Sequence, residues 1–266
     1  MTTEITRHQE AFQGVRTSWF ESGAGPALVL LHGGGGTGKA WTSQLRHFGE
    51  RYRVIAPDLP GFGQSDRNFL VHQCLDDLAP WLLAWLDARG VDRFLLAGNS
   101  MGGRVALSAA QSAPERTVAL VLLSAVGVRL PKVPIQNPLA VSPARFIDHM
   151  VYDPQHFRRI TPFRTLEDAK ELAQGRMAYA AYQSSGIEVP ANLMLSKISM
   201  PSLLIWGRHD TVIPLAYGEA LVKALPDAEL LVLERVAHLP HMEDPDAVNQ
   251  AIDTFLKRRL IEPTPI

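Results

Sequence analysis

Residues 98–102 constrain this chain more than any other stretch. A short apolar run, Phe94-Leu95-Leu96-Ala97, gives way to Gly98-Asn99-Ser100-Met101-Gly102 and then to an alanine-rich segment of helical character. The pattern predicts a strand that turns sharply into a helix with a serine at the apex. A turn this tight forces the serine into a strained backbone conformation, and glycine fits two positions either side, where larger side chains would collide. The strain lifts the Ser100 hydroxyl out of the sheet edge, and the following helix aims its N-terminal amides toward it.

The rest of the chain alternates in the same way. Strand candidates are 15–20, 27–31, 53–56, 93–97, 118–124, 202–206 and 229–233, several of them continuously apolar, as strands covered on both faces should be. Leu75, Leu78, Leu82 and Leu86, joined by Trp81 and Trp85, recur at helical spacing, and further helices are expected at 101–113, 215–225 and 245–258. Such alternation predicts an α/β fold: a mostly parallel sheet with helices on both faces. It breaks between residues 130 and 198. Pro131, Pro134, Pro138 and Pro143 open that stretch, and Phe146, Met150, Tyr152 and Phe157 are its apolar anchors. It reads as a helical cap inserted into a core made of 1–129 and 199–266, with a loose tail at 262–266.

Composition sets the outer limits. A hydrophobic share of 46%, charged residues at 20% and a formal net charge of −1 suit a soluble globular protein, with no signal for a nucleic-acid or membrane-surface partner. Cys74 is the single cysteine, which rules out an internal disulfide and fits a reducing compartment. No leader-like segment opens the chain and no apolar run reaches bilayer-spanning length. The expectation is a cytoplasmic protein acting on a small molecule.

Three further segments carry chemistry. The strand at 28–31 runs into His32-Gly33-Gly34-Gly35-Gly36, a loop rich in free amides; Trp206-Gly207-Arg208-His209-Asp210 places a carboxylate after a strand; Ala237-His238-Leu239-Pro240 follows the last strand. A serine nucleophile needs a base, and the base needs a carboxylate that fixes its tautomer, so Ser100, His238 and Asp210 form the candidate triad. The amides of Gly34 and Met101 are the candidate donors to a developing oxyanion. His241 is the rival base, and His32, Asp58 and Ser65 read as loop supports. Gly33, Gly35 and Gly38 also satisfy G-x-G-x-x-G with Asp58 about 20 residues on, and Gly33 to Lys39 nearly spells a P-loop, but Ala40 stands where a Ser or Thr is required. Neither nucleotide reading accounts for Ser100, Asp210 and His238.

These pieces, H-G-G-G at 32–35, P-D-L-P-G-F-G-Q-S at 57–65, G-N-S-M-G at 98–102, W-G-R-H-D at 206–210 and H-L-P-H-M-E-D-P at 238–245, resemble the α/β-hydrolase family over nearly the whole chain. Within it, G-N-S-M-G-G at 98–103, M-V-Y-D at 150–153 and E-L-A-Q-G-R at 171–176 are similar to the meta-cleavage-product hydrolases, which cut carbon–carbon bonds. That resemblance implies that Asn99 and Arg176 contact a dienol carboxylate, with Gly33 and Leu239 also lining the substrate. The plainer reading of Arg176 is an arginine on the cap surface. Leu239 stands where the subfamily usually has Trp, so the expectation is a serine hydrolase of a small carboxylic ester. Carbon–carbon hydrolysis is the alternative, and a non-catalytic small-molecule receptor a third reading. No metal or organic cofactor is required.

Overall fold

A computed structural model describes residues 3–68, 70–142, 145–183, 189 and 192–260. Among them are eight strands: β1 (Ile5–Phe12), β2 (Val15–Ser22), β3 (Ala27–Leu31), β4 (Arg53–Pro57), β5 (Phe94–Asn99), β6 (Thr117–Leu123), β7 (Ser202–Gly207) and β8 (Ala228–Leu233). They form one sheet in the order β1-β2-β4-β3-β5-β6-β7-β8. β1 and β2 pair antiparallel, as do β2 and β4, and the remaining pairs are parallel. The sheet therefore has one strand more than the sequence pattern predicts. Ile5–Phe12 escaped notice because an edge strand with half-exposed polar residues on both faces has no apolar run.

The uninterrupted apolar runs have a simple cause. Successive strand residues point to opposite faces, and both faces are covered. Val29, Leu31, Leu96, Leu120, Leu122, Leu204 and Trp206 pack into one core with helices α2 (Leu78–Asp87), α3 (Met101–Ser112) and α7 (Leu215–Ala224). Leu28, Leu30, Leu95, Ala97, Val121, Leu203 and Ile205 pack on the other side against α1 (Thr42–Phe48) and α9 (Pro245–Arg259).

Between β6 and β7 the chain leaves the sheet and forms α4 (Phe146–Met150), α5 (Pro154–Ile160) and α6 (Leu166–Gln183). Met150 and Phe157 are buried, as expected of anchors, but Tyr152 is 40% exposed, its ring tilted against His209. Pro143 and the segment 262–266 lie outside the described residues. No helix among those residues is long and apolar enough to cross a membrane.

Helix α6 is seated on the core by buried side chains. Arg7 on β1 donates to Glu171 at 2.7 Å and to Asp58 at 2.8 Å, and Lys39 meets Asp168 at 2.5 Å. Burial works against the Asp168 charge, but Lys39 and the amides of Thr165 and Arg164 hold its carboxyl down to about 2. The Tyr182 hydroxyl donates to Pro60 O, and its ring stacks on Phe62. Gly175 crosses close to Gly35, where an added Cβ would sit 3.1 Å from the Gly35 carbonyl oxygen.

Candidate active site

Ser100 has φ 53° and ψ −115°, between the end of β5 and the start of α3. A non-glycine residue in this region is strained. The crowding around it explains the flanking glycines: a Cβ on Gly98 would lie 2.4 Å from Gly102 O, and one on Gly102 would lie 2.3 Å from Leu31 O. The main chain at 31–32 thus packs directly beneath the turn, and this brings the His32–Gly36 loop beside Ser100.

Asp210, after β7, is buried and fully occupied. Its Oδ1 accepts from the amides of Val212 and Ile213, each at 2.9 Å, while Oδ2 pairs with His238 Nδ1 at 2.9 Å. His238, after β8, is buried and lines the same cavity as Ser100. Neither Ser100 Oγ nor His238 Nε2 is engaged by another group among the described residues. The amides of Gly34 and Met101 likewise donate to no protein acceptor among those residues. A hydroxyl and an imidazole held by a carboxylate therefore border one cavity at the C-terminal edge of the parallel strands, with the Gly34 loop and the start of α3 beside them. Such a set can add an oxygen nucleophile to a carbonyl and steady the resulting oxyanion.

The neighbouring polar residues have structural employment. Leu59 N donates to His32 Nε2, so the His32 proton sits on Nδ1, which donates to Gly33 O. Burial lowers the pKa of this imidazole and keeps it neutral. The Asp58 carboxylate accepts from Arg7, Gly38 N and Gln64 N, leaving nothing for a ribose hydroxyl. Ser65 bridges Asp58 O and Ser18 N. His241 stacks on Trp41 with ring centroids 4.1 Å apart, and its Nδ1 has no partner among the described residues. Burial first, then the neighbouring His238 and His32, push its pKa down to about 3. A carboxylate partner reaches His238 and none reaches His241.

The cavity has a volume of about 430 Å³ and runs from Ser100 up to α4, α5 and α6. Phe146, Met150, Phe157, Leu172, Leu239 and Met242 make most of its wall apolar. Arg176 lines it as well, so the surface reading of this arginine is corrected. Helix α6 lies against the core, and the guanidinium turns inward over the Phe146 ring at 4.3 Å. Its Nη2 reaches Val141 O at 3.4 Å, while its buried Nη1 has no partner among the described residues. Burial lowers its pKa, the mark of a poorly compensated cation.

Asn99 also has a place at the cavity. Its amide nitrogen donates to Leu123 O and His238 O, each at 3.1 Å, so its N–H groups brace the loop. Its Oδ1 lies beside Gly33, where a Cβ would meet it at 2.8 Å. Sequence reasoning missed Tyr179, whose ring lies against Gly34 and lines the cavity. The available signal was its position, three residues after Arg176 and hence on the same helix face.

The comparisons with known proteins agree with this geometry. The family model described as the alpha/beta hydrolase family matches residues 28–251, and this chain belongs to that family. Its relatives include a 2-hydroxy-6-oxo-6-phenylhexa-2,4-dienoate hydrolase of Burkholderia cepacia, 31% identical over 95% of both chains. Another is a 2-hydroxy-6-oxononadienedioate/2-hydroxy-6-oxononatrienedioate hydrolase of Comamonas testosteroni, 29% identical over 95% of both. Among solved structures, the 2-hydroxy-6-oxo-6-phenylhexa-2,4-dienoate hydrolase of Rhodococcus sp. strain RHA1 superposes with a TM-score of 0.78 at 27% identity, covering 96% of this chain and 100% of that one. A bacterial membrane phospholipase A reaches 0.84 at 27% identity, over 97% and 87%. The chain is an α/β-fold hydrolase.

Proposed function

We propose that this hydrolase uses Ser100 as nucleophile, His238 as base and Asp210 as the group that orients and charges against the imidazole, with Gly34 and Met101 amides receiving the oxyanion. The segment 130–198 acts as the cap over the site. The substrate is a ketone conjugated to a distal carboxylate, and the bond cleaved is carbon–carbon. The observation that carries this choice is Arg176: a half-buried guanidinium whose buried Nη1 has no partner among the described residues, at the edge of a mostly apolar cavity, suits an anion, and its planar fork suits a carboxylate. The names of the relatives support the same class.

The chemistry is consistent with the groups present. Ser100 Oγ adds to the ketone as His238 takes its proton, giving a tetrahedral oxyanion. Collapse breaks the carbon–carbon bond, and the departing carbon leaves as a conjugated enolate protonated by His238. The acyl group left on Ser100 is hydrolysed by a water that His238 deprotonates, releasing a carboxylic acid and the free serine. Carbon leaves only where such an electron sink exists, and the distal carboxylate is the handle by which Arg176 aligns it.

Hydrolysis of a neutral ester is the second reading, favoured by Leu239, which lines the cavity where an indole would otherwise complete an aromatic wall. Purified protein assayed with 2-hydroxy-6-oxo-6-phenylhexa-2,4-dienoate and with short 4-nitrophenyl esters separates the two. Carbon–carbon hydrolysis requires the dienoate kcat/KM to exceed that of the best ester by at least about tenfold, a difference of about 1.4 kcal/mol in transition-state binding. An ester advantage of that size transfers the assignment to the second reading.

A further inference from the structure

Glu243 takes no part in the chemistry just described, yet its carboxylate holds the loop that carries His238. It ends the short helix α8 (Pro240–Glu243). Its two oxygens accept from Ala237 N at 3.1 Å each, and Oε1 accepts from Leu239 N at 3.0 Å, so it grips the main chain on both sides of His238. Its Oε2 also accepts from Tyr152 N at 2.7 Å, in the insertion between α4 and α5. The same stretch touches the loop again, since His238 N donates to Met150 O at 3.0 Å. The remaining main-chain group of the histidine, its carbonyl, accepts from Asn99 beside Ser100.

We infer that Glu243 is a positioning residue that makes the placement of His238 conditional on the seating of Met150–Tyr152. The inference rests on the reading of Ser100 and His238 as nucleophile and base. All of the hydrogen-bonding partners of the carboxylate are N–H donors, so only an acceptor at both oxygens satisfies them. An amide in its place turns an NH2 toward at least one of those donors and leaves it unpaired. Loss of the clasp therefore frees the histidine loop and the insertion together rather than either alone.

Amide hydrogen exchange on the wild-type protein tests the coupling without any substrate. Ala237, Leu239 and Tyr152 are expected to exchange as one unit, with rates within about threefold and a shared denaturant dependence. Independent exchange of Tyr152 would overturn the inference, and this arm stands even if a variant fails to fold. In folded Glu243→Gln, fluorophosphonate labelling of Ser100 should slow by roughly 10- to 100-fold, with Glu243→Asp recovering part of the rate. The proton resonance shared by His238 Nδ1 and Asp210 should broaden in the Gln variant, a change that lost stability alone does not produce. Labelling within threefold of wild type in Glu243→Gln would also overturn it. A wild-type protein that is not labelled at Ser100 would refute the nucleophile itself, a failure separate from that of the clasp.

Discussion

The floor of the cavity is held largely through main-chain groups, some of them clasped by Glu243 and Asn99, and its roof by pairs of side chains. Below, Ser100 is fixed by the strained turn after β5, Asp210 by two amides and His238 by contacts on either side of its own peptide groups. Above, α6 is held by Arg7 to Glu171, Lys39 to Asp168 and Tyr182 to Pro60, pairs brought together from distant parts of the chain. A floor built on backbone tolerates almost any neighbour but little displacement. A roof built on side chains can be re-cut one residue at a time along α6, away from the Met150–Tyr152 stretch that Glu243 ties to the His238 loop. Reaction and selection are thus separable between the Ser100 turn and α6, and substitutions at those two places should sort accordingly.

The largest effects belong to the floor. Ser100→Ala should lower kcat by roughly 10⁴- to 10⁶-fold on every accepted substrate, with His238→Ala within about tenfold of it, because such residues act as a unit. Asp210→Asn should lose roughly 10³- to 10⁴-fold, since the imidazole then holds the wrong tautomer. Steady-state kinetics on a dienoate and an ester check both. A loss confined to one substrate would break the division between floor and roof, and a larger loss in His241→Ala than in His238→Ala would move the base.

The roof comes next. Arg176→Gln should weaken dienoate kcat/KM by roughly 10²-fold, while a neutral aryl ester stays within about threefold. Equal losses on both substrates would mean that Arg176 supports α6 rather than reading a carboxylate.

Breaking the seat of α6 should be milder in activity and visible in stability. Glu171→Gln leaves Arg7 with one carboxylate, and since Arg7 is partly exposed the cost should be about 1–3 kcal/mol, a Tm drop of about 3–10 °C. Thermal unfolding measures it, and kcat on an ester should change by less than about fivefold. A collapse of activity at unchanged Tm would contradict the separation.

The effect smallest near neutral pH is a pH dependence rooted in the cavity wall. Unfolded, the His241 imidazole takes up a proton below its ordinary 6.5; folded, burial keeps it neutral down to about 3. The unfolded chain binds more protons in that window, so stability falls as the pH drops from about 6.5 toward 3. His241→Gln should flatten this slope in a plot of Tm against pH. An unchanged slope would assign the acid sensitivity elsewhere.

The same contrast explains what could be read from the sequence. Strands β3, β5, β6 and β7 are apolar on both faces and announce themselves, and the His32–Gly36 loop, Ser100 and Asp210 follow β3, β5 and β7. His238 follows β8, whose residues are all half-buried, so its own motif rather than its strand marks it. β1 was not legible, because Ile5–Phe12 carries Arg7, His8, Gln9 and Glu10 along an open edge. The inward turn of Arg176 was legible only through the resemblance to the meta-cleavage-product hydrolases, because the seating of α6 rests on contacts such as Arg7 with Glu171 across 164 positions. Asn99 lines the cavity, but the bracing of His238 O by its amide was not legible, because that contact exists only once β5 and the last loop are neighbours. Local geometry leaves a trace in local sequence, and pairwise side-chain fit does not.

The conformation of Ser100 has one more consequence, for how this chain can change over time. A serine at φ 53° and ψ −115° stores about 1–3 kcal/mol of backbone strain. Glycine would release it, because without a Cβ that region is freely accessible. The residue on which turnover depends is thus one of the cheapest positions at which to gain stability by giving up activity. On the proposed mechanism, a lineage released from selection for hydrolysis has a downhill step waiting there.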